Sequence, residues 1–234
     1  MTQLVNQTVL VTGANRGMGR EFVRQFLDRG VAKVYAAARD PQAIVADDPR
    51  VVPLRLDVTD AGSVARAAQI AQDVSVVVNN AGIARGVSVL DSDTATLRGE
   101  LETNLFGTLA VASAFADRLA ERSGVVINMA SVASWLPTGG SYGVSKAAVW
   151  SATDSMRLEL GPRGVQVVGV HVGFVDTDMV ASIDAAKSDP ADVVRQVLDG
   201  VENGDVEILA DDLTRAVRAG LHQPIETRLA SLRP

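Results

Sequence analysis

Short runs of valine and other apolar residues alternate along the chain with longer segments in which apolar residues recur at helical spacing. Val74–Asn79 is almost entirely valine, and a continuous apolar run of this kind is typical of a strand buried on both faces of a parallel sheet. In contrast, Phe26 follows Phe22 and Val23 by four and three residues, a spacing that predicts an amphipathic helix after the first strand.

The whole chain divides in this way into predicted strands and helices. The strands are predicted at Val9–Thr12, Ala32–Ala37, Val51–Asp57, Val74–Asn79, Gly124–Met129, Val165–Val172 and Val206–Ala210. The helices are predicted at Arg20–Arg29, Ala61–Gln72, Leu97–Leu119, Tyr142–Leu160, Asp192–Val201 and Leu213–Ala219. Strands separated by helices form βαβ units, so we expect an α/β fold: one domain over residues 1–234, a doubly wound parallel sheet (Rossmann fold) flanked by helices. Ligands of such sheets bind beyond the carboxyl ends of the strands.

Composition and charge narrow the classes of partner. The chain has 234 residues, of which 47% are hydrophobic and 21% charged, as in ordinary globular proteins. Its formal net charge of −6 argues against nucleic acid or an anionic membrane surface as the main partner, although a local basic site can still bind an anionic ligand. No apolar run approaches the roughly 18 residues of a membrane span, and no signal-like segment opens the chain, so we predict a cytoplasmic protein without a membrane partner.

The counts of cysteine and histidine limit the chemistry further. The sequence has no cysteine, which excludes disulfides, thiolate catalysis and cysteine zinc sites. Its two histidines, His171 and His222, are too few for a histidine-rich metal site. We therefore predict a site with no metal.

A glycine cluster, Thr12–Gly19, lies directly between the first predicted strand and the first predicted helix. Glycines there allow a tight turn and let a phosphate approach the backbone, while the helix N-terminus offers free N–H donors and a partial positive charge. Taken alone, the cluster could equally be an ordinary glycine-rich turn. The flanking strand and helix favour a dinucleotide site.

Two arginines refine the choice of cofactor. Arg16 lies inside the glycine cluster, and Arg39 follows the second predicted strand, where a site for NAD usually has a carboxylate. Asp40 is adjacent, but we expect Pro41 to turn it away into a helix start. Two guanidiniums suit a 2′-phosphate, each worth about 1.5–3 kcal/mol, so the sequence predicts a preference for NADP(H) of about tenfold or more. The alternative is that both arginines are solvated surface charges.

The ends of the third and fourth predicted strands add further candidates. Asp57 could accept a hydrogen bond from an adenine amino group, or it could cap the helix that begins near Asp60. The motif Asn79, Asn80, Ala81 and Gly82 ends the fourth strand, where small residues and side-chain amides permit close approach of a cofactor.

Tyr142 and Lys146 begin a predicted helix at positions i and i+4, which lie on one helix face. A phenol with a pKa near 10 is a poor base at neutral pH. A lysine ammonium about 5 Å away would favour the phenolate by roughly 3 kcal/mol at an effective dielectric of about 20, so we expect the pKa of Tyr142 to be lowered by about two units. Tyr142 could then protonate a carbonyl oxygen as hydride arrives, and Lys146 could also hold the ribose of the cofactor.

Two further polar residues are candidates beside this pair. Ser131 directly follows the fifth predicted strand, where its hydroxyl could orient a substrate oxygen, although it could instead cap a turn, and Ser134 and Ser141 are alternatives. Asn104 interrupts a predicted helix and is either an exposed asparagine or an inward polar group near the active site, because asparagine is a poor helix former.

In this order the motifs resemble those of the short-chain dehydrogenase/reductase family over about residues 5–180. The resemblance implies a catalytic tetrad of Asn104, Ser131, Tyr142 and Lys146, in which Asn104 holds a water that links Lys146 to solvent. It also implies that the stretch after the sixth strand contacts nicotinamide, with Thr177 on the carboxamide. The residues predicted to bind the cofactor are Gly13, Asn15, Arg16, Gly17, Met18, Gly19, Arg39, Asp57, Val58, Asn79, Ala81, Gly82, Tyr142, Lys146, Gly173, Val175 and Thr177.

The chain departs from the family pattern at several points. Val172 stands where the family usually has proline, and the interval from Ser131 to Tyr142 is shorter than usual. The helix between the third and fourth strands is also short. The last predicted strand, Val206–Ala210, is followed by a helical segment where the family frequently has a glycine-rich one.

On the substrate side, we expect a largely apolar pocket with Asp176–Pro190 as a short lid. Its predicted lining residues are Ile83, Trp135, Leu136, Phe174, Met179 and Val180. The lid has no arginine cluster for a highly anionic substrate, so the expected substrate is a small-to-medium hydrophobic ketone or aldehyde.

The resemblance implies a homodimer or homotetramer assembled through the two longest predicted helices. Their candidate contacts are Ala110, Val111, Ala114 and Trp150.

These observations predict an NADP(H)-dependent carbonyl reductase or alcohol dehydrogenase. The alternative from another class is a non-catalytic NADP(H)-binding redox sensor or scaffold, which predicts loss of the tyrosine or the lysine. Epimerases and dehydratases on this fold typically have larger C-terminal domains, and enoyl reduction usually goes with a wider tyrosine–lysine spacing.

Overall fold

A computed structural model describes residues 3–90 and 94–230 of the chain. Seven strands form one parallel sheet in the order β3-β2-β1-β4-β5-β6-β7. The strands are β1 Thr8–Thr12, β2 Lys33–Ala38, β3 Val51–Arg55, β4 Val76–Asn79, β5 Val125–Met129, β6 Gln166–His171 and β7 Glu207–Leu209. The predicted α/β class and doubly wound parallel sheet are confirmed.

Helices cover both faces of the sheet. They are α1 Gly17–Asp28, α2 Ala61–Ile70, α3 Thr94–Leu101, α4 Gly107–Glu121, α5 Gly140–Leu160, α6 Pro190–Asn203, α7 Asp212–Ala219 and α8 Ile225–Ala230. The helix predicted as one unit at Leu97–Leu119 is divided into α3 and α4 by a π-helical turn, Glu102–Phe106. The other predicted elements are present with ends displaced by a few residues, as expected because helix and strand ends carry the weakest sequence signal.

Two apolar layers hold the sheet between the helices. On one face Phe22 and Phe26 of α1 pack with Leu198 of α6 against the sheet, and on the other Phe115 and Leu119 of α4 do so. All five of these side chains are fully buried. Burial on both faces explains why the strands read as continuous valine runs, since each fully buried aliphatic or aromatic side chain contributes about 1.5–3 kcal/mol.

The strand order reverses between β1 and β4, which lie side by side although two strands separate them along the chain. The connections leaving these two strands therefore run in opposite directions, and they open a crevice at the carboxyl end of the sheet. The glycine cluster after β1 and the residues after β4 meet there, because Thr12 Oγ1 accepts hydrogen bonds from the backbone N–H groups of Asn80 and Ala81, both at 3.0 Å.

One predicted oligomer contact is wrong. Val111 has no exposed surface and packs in the apolar layer between α4 and the sheet, so it is not available to another subunit. Ala110 and Ala114 are partly buried against the same layer. Within residues 3–90 and 94–230, no helix is both long and apolar enough to cross a membrane.

Candidate active site

The glycine cluster after β1 is folded back on itself. Gly13 and Gly17 have φ values of +65° and +51°, in the left-handed region that side chains rarely adopt. A Cβ at Gly13 would lie 3.0 Å from the Cα of Ala81, and one at Gly19 would overlap the Gly13 carbonyl oxygen. Arg16 is the N-cap of α1 and makes no side-chain capping hydrogen bond, so the first turn presents N–H donors to a ligand.

Asn80, and not its neighbour Asn79, supports this loop. The Asn80 Nδ2 donates to the carbonyl oxygens of Thr12 and Gly13 at 2.9 and 3.2 Å. Asn79 is buried, and its Nδ2 donates to Asn128 Oδ1 across β4 and β5 at 2.9 Å. The predicted contact of the Asn79 side chain with a cofactor is therefore corrected, since alternation along β4 turns it into the sheet interior.

The two arginines that were predicted to favour a 2′-phosphate are both exposed. The Arg16 guanidinium lies 3.5 Å from the carboxylate of Asp178, and both side chains are more than two thirds exposed. Asp40 accepts a hydrogen bond from the N–H of Gln42 at 3.0 Å and caps the short helix that Pro41 begins, as predicted. The Asp40 carboxylate is thus engaged at the start of this short helix.

Asp57 closes its own turn and does not cap α2. Its Oδ1 accepts from the N–H and the hydroxyl of Thr59, at 3.0 and 2.7 Å, and these bonds lower the pKa of Asp57. The cap of α2 is Asp60, which accepts from the N–H of Gly62 at 2.8 Å. The sequence hypothesis that Asp57 caps α2 is therefore wrong, and its hydrogen bond to an adenine amino group stays a prediction.

Lys146 is buried at the centre of the candidate site. Its Nζ donates to the carbonyl of Met129 at 2.6 Å and lies 5.7 Å from the centroid of the Tyr142 ring. A Cβ at Gly82 would come within 3.8 Å of this Nζ, which places the end of β4 beside it. Burial lowers the pKa of Lys146 to about 8.

The expected lowering of the Tyr142 pKa is wrong for the protein in this form. The pKa of Tyr142 is raised to about 12, mainly by burial; a hydrogen bond with the Ser131 hydroxyl opposes this shift, and the charge of Glu100 adds to it. The Lys146 ammonium, which donates to the Met129 carbonyl, does not offset the effect of burial on this pKa. Tyr142 is therefore a neutral phenol at pH 7.

Ser131 caps a turn, which is one of the two roles considered from the sequence, and its hydroxyl also lies beside Tyr142. Its Oγ accepts from the N–H of Ala133 at 3.1 Å, which caps a short helix, and donates to the Val172 carbonyl at 3.3 Å. The same hydroxyl lies close enough to the Tyr142 phenol to influence its pKa. Of the alternatives, Ser134 Oγ donates to the Lys146 carbonyl at 2.9 Å and so stabilises α5.

Asn104 is an inward polar group, and the hypothesis of an exposed asparagine is excluded. It lies in the π-helical turn between α3 and α4 with 1% of its surface exposed. Its Oδ1 accepts from the N–H of Ile83, and its Nδ2 donates to the Ile83 carbonyl and to Ser145 Oγ, all at 2.9 Å. Such π-helical turns are frequent at functional sites. Asn104 thus joins the segment after β4 to the helix that carries Tyr142 and Lys146.

The stretch predicted to contact nicotinamide lies beside the glycine cluster. A Cβ at Gly17 would come within 3.3 Å of Thr177 Cγ2, so the two segments are in contact. Val175 is buried and forms an isolated parallel bridge with Ser188. The N–H of Gly173 donates to the carboxylate of Asp211 at 2.6 Å, a contact that the sequence did not predict.

The predicted lid, residues 176–190, is anchored at both ends. The N–H of Asp176 donates to the Ser188 carbonyl at 3.0 Å, and Asp178 is the partner of Arg16. Met179, within this lid, is half-exposed, while Val180 is partly buried.

Trp135 does not line a pocket, which corrects the prediction. Its ring has 8% of its surface exposed, stacks on His171 with a centroid distance of 4.0 Å, and meets Trp150 edge-on at 5.7 Å. Two short helices, Val132–Ser134 and Pro137–Gly139, fold the loop between Ser131 and Tyr142 and direct the indole inward. The remaining predicted lining residues Ile83, Leu136 and Phe174 are partly exposed.

Sequence reasoning missed a buried carboxylate beside the site. Glu100 has no exposed surface, and its Oε1 accepts from the backbone N–H groups of Arg85 and Gly86 at 2.6 and 3.2 Å. Its Oε2 makes no hydrogen bond within the described part of the chain. The available signal was its spacing, since Glu100 lies four residues before Asn104 and hence on the same helix face.

Comparison with known proteins agrees with this geometry. The chain matches the short chain dehydrogenase family over residues 7–188. The chain belongs to the short-chain dehydrogenase family. Among residues 3–90 and 94–230 there is no group of three or more histidine, aspartate or glutamate side chains that could hold a metal ion.

Individual relatives cover the chain to different extents. A short-chain dehydrogenase from Burkholderia cenocepacia J2315, crystallised in complex with NADP, is 35% identical over 100% of both chains with a TM-score of 0.95. An uncharacterised oxidoreductase of Staphylococcus aureus (strain MW2) is 34% identical over 85% of this chain and 92% of that protein. The short-chain dehydrogenase srdE of Neurospora crassa is 31% identical over 73% of this chain. The chain spans only 62% of the length of srdE and 44% of the length of another relative, the short chain dehydrogenase tazN of Aspergillus terreus.

Proposed function

We propose that this chain is an NADP(H)-dependent oxidoreductase that transfers hydride between nicotinamide and a carbonyl or alcohol group. The observation that carries the proposal is the convergence of Tyr142, Lys146 and Ser131 beside Gly82 at the carboxyl end of the sheet. A proton donor, a buried cation and an orienting hydroxyl are the groups that carbonyl reduction needs around one oxygen atom.

The crevice has the features that a dinucleotide requires. Side chains at Gly13 and Gly19 would fill the space in which the phosphate-binding loop turns, and the first turn of α1 is open to an anion. NADP(H), when bound, supplies or accepts the hydride. Lys146 would hold the ribose beside Tyr142, and Gly173, Val175 and Thr177 would contact the nicotinamide.

Tyr142 supplies the proton in the direction of reduction. Because its pKa is raised to about 12, the phenol keeps its proton at pH 7 until a carbonyl oxygen gains negative charge as hydride reaches the carbonyl carbon. Ser131 orients that oxygen, and the proton moves from the Tyr142 hydroxyl to it, which leaves an alcohol and a phenolate. The Lys146 ammonium stabilises the phenolate by charge.

Arg16 and Arg39 would select the 2′-phosphate of NADP(H). Arg16 has to leave Asp178 to do so, but an exposed ion pair is worth only about 0–1 kcal/mol. Two charge-assisted hydrogen bonds to a phosphate exceed that value. The NADP bound by the Burkholderia relative, which is similar over its whole length, supports this choice of cofactor.

Partly exposed apolar side chains support the proposed substrate class. Ile83, Leu136 and Phe174 are partly exposed apolar residues on three different segments, and Met179 is a half-exposed apolar residue of the lid. They favour a small-to-medium hydrophobic ketone or aldehyde.

We also propose that the chain forms a homodimer or homotetramer. Leu158 of α5 and Phe106 before α4 are 80% and 52% exposed, and both lie in the two long segments that are predicted to form the interface. Light scattering of the wild type and of Leu158→Glu tests this, since the proposal requires a multiple of the 24.5 kDa chain that the charge weakens.

The test of the function is turnover with NADPH and NADH, followed by nicotinamide absorbance over a panel of aldehydes and ketones. We expect faster turnover with NADPH and its loss in Tyr142→Phe. Tyr35→Phe is the matched control, because Tyr35 bonds Asp73 at the opposite end of the sheet. Tight NADPH binding without turnover over a wide panel would contradict the proposed oxidoreductase activity and favour a non-catalytic NADP(H)-binding sensor. Better activity with NADH would contradict the proposed selection of the 2′-phosphate by Arg16 and Arg39.

A further inference from the structure

The β7–α7 unit, defined as residues Glu207–Ala219, reaches the active site from the far edge of the sheet. β7 pairs in parallel with β6, so that His171 lies opposite Leu209, and the N–H of Ala210 donates to the His171 carbonyl at 3.0 Å. This register brings the residue that follows Ala210 level with the end of β6, where the nicotinamide stretch begins.

That residue is Asp211, and its carboxylate joins two segments. Its Oδ1 accepts from the N–H and the hydroxyl of Thr214, at 2.8 and 2.9 Å, and so caps α7. Its Oδ2 accepts from the N–H of Gly173 at 2.6 Å, a short bond of the kind that a charged acceptor makes. Both oxygens are needed for this arrangement, because a single acceptor atom cannot lie at both positions.

Buried residues surround this bridge. Thr214 has no exposed surface, and Ala210 and Val172 are nearly fully buried, so the carboxylate lies between two packed backbones. Gly173 is the first residue of the stretch that continues through Val175 to Thr177, which packs on the glycine cluster. A displacement at Gly173 would therefore be transmitted to the wall of the cofactor crevice.

The β7–α7 unit also contacts residues that hold the backbone of Ser131. The Arg218 guanidinium lies over the Trp135 ring, 5.5 Å from its centroid, and its Nε donates to Glu207 at 2.9 Å. Trp135 stacks on His171, whose Nδ1 lies 3.2 Å from the Ser131 carbonyl. A carbonyl only accepts hydrogen bonds, so His171 donates to the backbone of the catalytic serine.

We propose that Asp211 is a positioning residue, which holds Gly173 through the β7–α7 unit and so sets the nicotinamide stretch where the cofactor needs it. The proposal rests on the proposed function but names a residue outside the family tetrad and outside the glycine cluster. It assigns to the helical segment after β7 a task within its own chain, that of bracing the crevice.

Asp211→Asn tests the bridge with little change of shape. The asparagine oxygen can still cap α7, but its amide nitrogen would then face the Gly173 N–H, donor against donor. We expect the dissociation constant for NADPH, measured by its fluorescence without substrate, to rise about tenfold, as the loss of one charge-assisted hydrogen bond allows. With a ketone substrate, the KM for NADPH should rise as well.

Two control variants separate positioning from capping. Thr214→Val removes a bond to Oδ1 but keeps Oδ2 on Gly173, and Asp60→Ala removes the equivalent cap of α2. Both should lower the melting temperature while NADPH affinity stays within about twofold of the wild type. Unchanged NADPH affinity in Asp211→Asn, or an equal loss in Thr214→Val, would overturn the proposal. Failure of the proposed oxidoreductase function would be distinguishable from failure of the Asp211 proposal, because the wild type itself would then show no turnover.

Discussion

Lys146 and Met129 are joined by a hydrogen bond of 2.6 Å between the lysine Nζ and the methionine carbonyl at the end of β5. Ser131 follows Met129 by two residues, so one strand end positions both the buried ammonium and the serine hydroxyl. The bond holds the Lys146 ammonium at this strand end, 5.7 Å from the centroid of the Tyr142 ring.

Replacement of Lys146 by methionine should lower kcat for ketone reduction by about 100-fold or more, the range for a group that assists proton transfer. The methionine keeps the apolar stem but loses the charge that stabilises the Tyr142 phenolate. Steady-state kinetics with NADPH measure the effect. Lys33→Met is the control, because Lys33 pairs with Asp73 outside the site, and equal losses in both variants would contradict the role of Lys146.

Glu100→Gln should shift the pH dependence of alcohol oxidation. Oxidation needs the Tyr142 phenolate, and the Glu100 charge raises the pKa of that phenol. Without the charge the pKa of Tyr142 falls, so activity should rise at a lower pH than in the wild type. The amide oxygen can still accept from the N–H groups of Arg85 and Gly86, which keeps the loop in place.

The matched control for this variant is Glu102→Gln, two residues further along on the exposed side of the same segment. Profiles of kcat against pH would be recorded for the wild type and both variants with NADP and one secondary alcohol. An unchanged profile in Glu100→Gln, or the same shift in Glu102→Gln, would refute the electrostatic coupling.

His171 should make the fold sensitive to acid. Burial lowers its pKa to about 4 from 6.5, so between these values the unfolded chain binds a proton that the folded chain does not. The free energy of unfolding should therefore decrease as the pH falls from 6.5 to 4, by about 3 kcal/mol at about 1.36 kcal/mol per unit. Urea unfolding at a series of pH values measures this slope.

In the His171→Gln variant, the decrease in the free energy of unfolding that His171 causes between pH 6.5 and 4 should disappear. The control variant His222→Gln, at an exposed position, should keep the wild-type pH dependence. A His171→Gln variant with the full wild-type dependence would assign the acid sensitivity to other groups.

Gly19→Ala should abolish the binding of NADPH that we propose, because a Cβ there would overlap the Gly13 carbonyl and force the loop open. Gly99→Ala is the control, since a Cβ at that helical glycine meets nothing within 4 Å. Replacing a helical glycine by alanine should stabilise the protein by about 0.4–1 kcal/mol. Fluorescence titration with NADPH and thermal unfolding would be recorded for both, and wild-type affinity in Gly19→Ala would place the cofactor elsewhere.

Local spacing in the sequence determined the sheet, its parallel character and the order of the candidate motifs. The glycine cluster lies between a strand and a helix, and Tyr142 and Lys146 lie four residues apart on a helix, so both depend only on nearby residues. Strand burial was visible for the same reason, because a parallel strand covered on both faces has to be apolar at every position.

The tertiary structure alone decided which polar groups meet. Nothing local distinguishes Asn79 from Asn80, yet the pairing of β4 with β5 buries the first and leaves the second at the loop. The burial of Trp135, the bridge from Asp211 to Gly173 and the raised pKa of Tyr142 likewise depend on segments far apart along the chain. Spacing along a chain determines which face a side chain takes, whereas desolvation and hydrogen bonding depend on what the fold brings against that face.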